Sequence, residues 1–366
     1  DGDVSEPAWS RDGDRIAAVR SRDHRHDLIV VDVATGEIAD VAAGGTWGTP
    51  LWTAGGALVA TYEDHATPPE LRLAELDGTT RTLCSAAPQA IRAAPHVPPE
   101  QVSFRSSDGL EVHGLLYRPG DTGRPAPAVV YAHGGPTSAS GDDWDGVAQY
   151  FVDKGYAWLA VNFRGSTGRG KAYEHLNDLD WGVGDAQDCL AAADFLRTVD
   201  WVDGDRLAIF GPSYGSYLAL CAAVEDAGER FRCAVCKYGE ADLLVSWTQG
   251  DLAGVLYAGT NMMGDPSEQR DAYLRGSPIH QLGKPFEFRQ GLSREPPQQA
   301  PHVDAAEPLL DGPHRNRQIK WRGDGRRGAQ CLGGCVPLLP QVFQQHVAAE
   351  GEARAEDRGP WGLGDD

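Results

Sequence analysis

Gly211-Pro212-Ser213-Tyr214-Gly215 stands between the apolar run Leu207-Ala208-Ile209-Phe210 and the helix-like Tyr217-Leu218-Ala219-Leu220-Cys221-Ala222-Ala223. That order predicts a strand, a one-residue spike and a helix. A serine at the tip of such a turn has its hydroxyl lifted clear of the sheet, at the positive end of the helix that follows. Gly211 and Gly215 leave room for a turn that side chains would block. By itself the pattern also fits a chance glycine-rich turn, so a second feature is needed.

The second feature lies upstream. Val129-Val130-Tyr131-Ala132 reads as a buried strand running into His133-Gly134-Gly135-Pro136, a glycine loop of the kind that offers a backbone N–H to an oxyanion. Both motifs sit on strand ends, with the glycine loop ahead of the serine turn. Around them strands and helices alternate: strands at about 128–132, 157–163, 207–210 and 233–238, with helices at about 186–197 and after Ser213. Alternation of this kind predicts a doubly wound, mostly parallel sheet with helices on both faces. The fold class is therefore α/β, of the α/β-hydrolase type. A hairpin at 101–117, turning at Ser107-Asp108-Gly109, precedes it.

The first ninety residues repeat. Trp9-Ser10-Arg11-Asp12-Gly13 and Trp52-Thr53-Ala54-Gly55-Gly56 each lead into a short apolar strand, and the two tryptophans are 43 positions apart. Leu28-Ile29-Val30-Val31-Asp32 and Leu71-Arg72-Leu73-Ala74-Glu75 keep the same spacing. A period of this length with short strands and glycine turns predicts β-propeller blades, with two unrelated meanders as the alternative. Two blades cannot close a ring, so the propeller is incomplete and further blades are expected upstream of Asp1. A proline- and alanine-rich link at 88–99 separates this part from the rest. The expected division is 1–95 partial propeller, 96–282 α/β-hydrolase domain and 283–366 an aberrant tail.

Composition narrows the class of function. The 366 residues carry 33 Lys and Arg against 53 Asp and Glu, a net charge of −20, of which residues 281–366 contribute only −1. So acidic a surface disfavours nucleic acid and anionic membranes as partners. Only five basic residues are lysines, which together with the acidity suits a salt-adapted interior. No apolar run reaches the length of a membrane span. Seven cysteines without small-domain spacing argue for a reducing, cytoplasmic compartment. Cys233 and Cys236 form a C-x-x-C on a strand-like run, which puts them on opposite faces and predicts structural burial. The histidines are scattered, so a zinc site finds no support, and no cofactor is expected.

With these residues in view, the chain resembles the prolyl oligopeptidase family of serine peptidases. His133-Gly134-Gly135-Pro136, Asn162-Phe163-Arg164-Gly165-Ser166-Thr167-Gly168, Trp181-Gly182 with Asp185 and Asp188, and the Ser213 turn carry the resemblance, which covers about residues 5–282. It is strongest to the acylaminoacyl peptidase and dipeptidyl aminopeptidase-like branch. Pro212 and Ser216 depart from the residues common there. The resemblance implies a propeller ahead of an α/β-hydrolase domain and attack by Ser213 on a carbonyl carbon to give an acyl-enzyme. The oxyanion would be held by the N–H groups of Gly135 and Tyr214. It implies short peptides, N-acylated or dipeptidyl, as substrates, with an oligomer possible. His133 is read as a loop-ordering residue rather than the base, because it precedes the serine within the oxyanion motif. Arg164 reads either as a brace for loops beside the site or as a surface arginine. An esterase and a catalytically incomplete interaction module remain the other functions open.

Two stretches need separate readings. Gly165-Ser166-Thr167-Gly168-Arg169-Gly170-Lys171-Ala172 nearly matches a phosphate-cradling loop, but Ala172 replaces the magnesium-binding hydroxyl and no helix-like apolar run follows. Beyond residue 282 the acid and base of a triad should follow the serine, yet no apolar run from 281 to 330 exceeds two residues. Ala300 stands where the family's acid is expected, ahead of Pro301-His302-Val303. Asp304, Asp311 and His314 are the only local stand-ins, and none has strand context. Codons compatible with residues 331–343, read one nucleotide later, spell an amphipathic helix-like string. Strands, acidity and motif are thus lost together near residue 282, as a shifted reading frame would produce. A divergent, largely disordered tail is the alternative.

Overall fold

The computed structural model describes residues 3–121, 123–250 and 262–282. Its first part is two antiparallel meanders: β1 (Asp3–Trp9), β2 (Arg15–Arg22), β3 (Arg25–Asp32) and β4 (Ile38–Ala42), then β6 (Leu51–Trp52), β7 (Leu58–Asp64), β8 (Thr67–Ala74) and β9 (Thr80–Ser85). The short β5 (Thr46–Trp47) pairs with β3 on one side and β7 on the other, joining the two. The 43-residue repeat of the sequence is visible in space, since β2 and β7 begin at equivalent positions. Leu28, Val30, Leu58 and Ala60 are buried together, with Trp47 against Tyr62 at 4.8 Å.

Equivalent residues of the two meanders meet unequal surroundings. The indole of Trp52 donates to Ala8 O at 2.9 Å and Thr49 Oγ1 to Glu6 at 2.7 Å, so the second meander leans on the first. Trp9, the repeat mate of Trp52, is 60% exposed. This is the arrangement of successive propeller blades.

After α1 (Gln89–Arg92), the second sheet has the strand order β10 (Glu100–Arg105), β11 (Glu111–Tyr117), β13 (Ala157–Asn162), β12 (Ala126–Ala132), β14 (Val202–Pro212), β15 (Phe231–Lys237). The β10–β11 hairpin is antiparallel, and β13, β12, β14 and β15 run parallel. The connections are α2 (Gly146–Asp153), the short α3 (Lys171–Glu174) with α4 (Gly184–Leu196), and α5 (Tyr214–Asp226); α6 (Leu243–Gln249) and α7 (Arg270–Gly276) follow. The strand period of two sorts side chains between faces. Ala128, Val130, Leu159, Val161, Leu207 and Ile209 enter the core under α4 and α5. Val129, Trp158 and Ala160 enter the core with Ala148 and Val152 of α2. Each fully buried leucine of this set contributes on the order of 2 kcal/mol. The doubly wound, mostly parallel sheet of an α/β-hydrolase is therefore present, preceded by a propeller-like part.

Topology also fixes where a site can form. From β12 the chain moves to β13 on one side, then returns to β14 on the other. The loops after β12 and β14 therefore diverge on opposite faces, which opens a crevice between their C-terminal ends. Those two loops are the glycine loop and the serine turn. One expectation is corrected here: Cys236 is exposed and Cys233 only half-buried, because β15 is the last strand of the sheet among the described residues.

Candidate active site

Ser213 sits between the last residue of β14 and the first of α5, at φ 52° and ψ −123°. A positive φ is strained for a residue with a side chain, so the surroundings must hold it. Ser213 N donates to Lys237 O at 3.0 Å, and Ser213 O accepts from Ser216 N at 2.9 Å and Tyr217 N at 3.1 Å. The flanking glycines permit the turn by close approach. A Cβ on Gly215 would overlap Ala132 O, and one on Gly211 would fall 2.8 Å from the same atom. The turn is thereby pressed onto the end of β12. Ser213 itself is exposed, whereas Tyr214 to Ala219 are buried.

The glycine loop lies alongside. A Cβ placed on Gly134 would be 3.5 Å from Ser213 Cβ. Gly135 has φ 141°, and a Cβ there would meet Thr137 N at 2.8 Å, so only glycine fits. His133 is buried beneath the loop. Its Nδ1 is 2.7 Å from Gly134 O, its Nε2 2.8 Å from Ser166 Oγ, and its ring stacks on Phe163 at 4.3 Å. Burial pulls its pKa down to about 4. Both nitrogens are occupied within the loop's own scaffold, which is the ordering role expected of it.

Arg164 is a buried brace, not a surface arginine. Its Nε donates to Asp188 Oδ2 at 3.0 Å, Nη2 to Asp188 Oδ1 at 2.8 Å and Nη1 to Asp108 Oδ2 at 2.8 Å. Asp188 is fully buried on α4 and also accepts from Ser106 Oγ at 2.6 Å. The arginine thus pins the turn of the β10–β11 hairpin to α4, behind the site. The near-match to a phosphate loop is a false signal. The N–H groups of Gly165, Ser166, Thr167 and Gly168 are taken by Tyr173 O, Phe163 O, Ser138 O and Asp3 Oδ2. Lys171 pairs with Glu174 at 2.7 Å.

Sequence reading missed the junction between the two sheets. The segment after the glycine loop is tied to the first sheet: Asp142 N donates to His24 O at 2.7 Å, Thr46 Oγ1 to Asp142 O at 3.0 Å, His65 N to Asp142 Oδ1 at 3.2 Å and Trp144 N to Glu63 Oε2 at 3.3 Å. Beside it a cavity of about 540 Å³ is lined by Tyr117, Tyr131, His133, Gly135, Asp143 and Asp145. Burial, then the neighbouring Glu63 and Asp145 carboxylates, push Asp143 up to about 7. Burial also raises Glu63 and Asp145. The only signal in the sequence was the acidic run Asp142-Asp143-Trp144-Asp145 behind the glycine loop. Its partners on the first sheet lie 77 to 118 positions away and carry no motif.

The structure therefore brings Ser213, Tyr214 and Gly135 to one crevice, while Asp304, Asp311 and His314 lie outside the described residues. Among the described residues no imidazole or carboxylate hydrogen-bonds the Ser213 hydroxyl, and no group of three or more potential ligands could hold a metal.

Residues 143–290 match the model of the prolyl oligopeptidase family. The chain is 30% identical over 231 residues to dipeptidyl aminopeptidase BIII of Pseudoxanthomonas mexicana, covering 59% of this chain and 33% of that one. It is 27% identical over 246 residues to the human acylamino-acid-releasing enzyme, covering 63% and 33%. The chain thus spans about a third of the length of the curated relatives it matches. Among solved structures, the acylaminoacyl peptidase of Pyrococcus horikoshii superposes with a TM-score of 0.67 at 25% identity, over 77% of this chain and 44% of that one. A puromycin-hydrolyzing peptidase of Mycobacterium tuberculosis superposes with a TM-score of 0.67 at 27% identity, over 76% and 43%. The serine turn and the glycine loop thus meet in one crevice with the arginine brace behind them, in a chain whose residues 143–290 are similar to the prolyl oligopeptidase family.

Proposed function

We propose that this chain is the catalytic part of a serine peptidase acting on short peptides or on N-acylated or dipeptidyl N-termini. The observation that carries the reading is the exposed Ser213, held at a positive φ between β14 and α5 with the glycine loop at its side. In the proposed reaction Ser213 Oγ attacks the scissile carbonyl carbon as an imidazole base takes its proton. The tetrahedral oxyanion is held by the N–H groups of Gly135 and Tyr214, each such donor worth roughly 3 kcal/mol of barrier. The amine departs with the proton; water then attacks the acyl carbon as the same base takes its proton, and the acid product is released as that proton returns to Ser213 Oγ. The division into a partial propeller at 1–95, a peptidase domain at 96–282 and an aberrant tail at 283–366 belongs to this proposal, as does a cytoplasmic location. No described helix is long and apolar enough to cross a membrane.

The base and acid of the triad fall to the tail, where Asp304, Asp311 and His314 are the candidates within this sequence. A shifted frame near residue 282 would leave Ser213 with an ordinary hydroxyl, and loss of triad members costs on the order of a million-fold in turnover. The coding DNA across residues 275–345 decides between these. An unbroken frame makes His314 the base to mutate. Acylaminoacyl and dipeptidyl anilides assayed beside short-chain nitrophenyl esters test the substrate class. Ester turnover without cleavage of any peptide bond would make the chain an esterase. No Ser213-dependent reaction with any of them, frame restored, would leave the interaction-module reading.

A further inference from the structure

Tyr214 contributes a backbone N–H to the proposed oxyanion site, but its side chain points inward and is bound there. Its hydroxyl donates to Asp185 Oδ2 at 2.5 Å, and Asn177 Nδ2 lies 3.4 Å from both that oxygen and the phenol. Asp185, on the first turn of α4, and Asn177 are fully buried, and Tyr214 nearly so. Trp181 meets the Tyr214 ring edge-on at 5.0 Å, and Tyr217 packs at 5.3 Å. Phe163 lies 6.0 Å away on the side where it also stacks with His133. A continuous set of rings, His133, Phe163 and Tyr214, therefore links the loop of Gly135 to the turn of Ser213.

This packing does not explain a carboxylate. A buried acid is costly unless it is hydrogen-bonded, and an apolar pair of similar volume would fill the same space at no such cost. A hydrogen bond, however, fixes direction, which apolar contact does not. Asp185 accepts from three donors, Tyr214 Oη, Asn177 Nδ2 and Ala186 N. The phenol is thereby held at its far end while its backbone forms the first residue of α5 and the second half of the strained turn.

We propose that Asp185, supported by Asn177, is a positioning residue for the reaction at Ser213: by anchoring the Tyr214 phenol it sets the direction of the Tyr214 N–H and holds the φ of Ser213. The proposal rests on the reading of Ser213 as the nucleophile. Asp185 touches neither substrate nor the reacting atoms and acts only through Tyr214.

The test compares Asp185→Ala, Tyr214→Phe, the double variant and Asp185→Asn in the full chain, with Ser213→Ala as control. The readout is the rate of Ser213-dependent phosphonylation by a fluorophosphonate, resolved into its maximal rate and half-saturating concentration. Asp185→Ala and Tyr214→Phe should each lower the maximal rate roughly ten- to a hundred-fold at unchanged half-saturation, the scale of a misdirected oxyanion donor. The double variant should fall no further, and Asp185→Asn, which keeps an acceptor for the phenol, should recover most of the rate. Crystal structures of the wild type and Asp185→Ala give a readout that needs no activity: the Tyr214 ring should leave Trp181 and the φ of Ser213 should relax. An unmoved turn in Asp185→Ala, or a loss of rate that Asp185→Asn does not rescue, overturns the proposal. With the reading frame across residues 275–345 unbroken or restored, equal labelling of wild type and Ser213→Ala defeats the nucleophile reading instead, and the structures still decide the anchoring.

Discussion

Replacing Arg164 by methionine should be among the most damaging single changes outside the serine turn. The guanidinium makes two hydrogen bonds to Asp188 and two to Asp108. Its two partners differ in exposure: the Asp188 side chain is 0% exposed and that of Asp108 52%. In Arg164→Met, Asp188 keeps the Ser106 hydroxyl and the backbone N–H of residue 164 but loses its only cation among the described residues. Breaking a buried pair in this way costs about 3–5 kcal/mol, because an uncompensated charge remains. Asp108→Asn removes a half-solvated partner and should cost below about 1 kcal/mol. At roughly 2–4 °C per kcal/mol for a domain of this size, Arg164→Met should melt some 10 °C below wild type and Asp108→Asn within a few degrees of it. Urea titration followed by tryptophan fluorescence gives the free energies, and Arg164→Met with Asp188→Leu should recover most of the loss. If the two single variants were equally stable, the brace would be a surface feature and the account of the site's backing would fall.

Gly215→Ala drives a methyl into Ala132 O, so Ser213-dependent labelling should fall to background even where the far-ultraviolet circular dichroism is preserved. Asp143 is raised to about 7 by burial; its folded pKa exceeds the unfolded one, so its charge erodes stability as pH rises from about 4 through 7. Asp143→Asn should therefore melt higher than wild type at pH 8 and equal it at pH 4; the same difference at both pH values would refute the assignment. Trp52→Phe removes the bond to Ala8 O and should cost about 1 kcal/mol, against near-neutrality for Trp9→Phe, read by chemical denaturation. ATP with magnesium should leave the melting temperature unchanged, because the backbone donors of residues 165–168 are already committed.

The parallel sheet was legible because its strands carry apolar runs of four to six residues punctuated by glycine, and the 43-residue spacing survived in space as two meanders. The serine turn was legible because close approach to Ala132 demands glycine at both 211 and 215. What could not be read depends on contacts distant in sequence. Asp142 meets His65, and Tyr214 meets Asp185, through folding of the whole sheet; no local pattern marks either pair. Cys236 misled for a related reason, since its exposure depends on which strand ends the sheet rather than on its own neighbours.

The ties from Asp142 and Trp144 to His24, Thr46, Glu63 and His65 have a consequence for anyone recombining such proteins. The unit that can be exchanged intact does not end at the proline-rich link, because the segment leading away from Gly135 takes its shape from side chains and carbonyls of the first sheet. A chimera that joins a foreign first sheet at residue 96 would inherit an untethered glycine loop, however well both halves fold. Grafts that carry His24, Thr46, Glu63 and His65 along with residues 139–146 should keep turnover, whereas grafts cut at the link should lose it without loss of substrate affinity, and kcat and KM measured separately on the two kinds of graft will tell them apart.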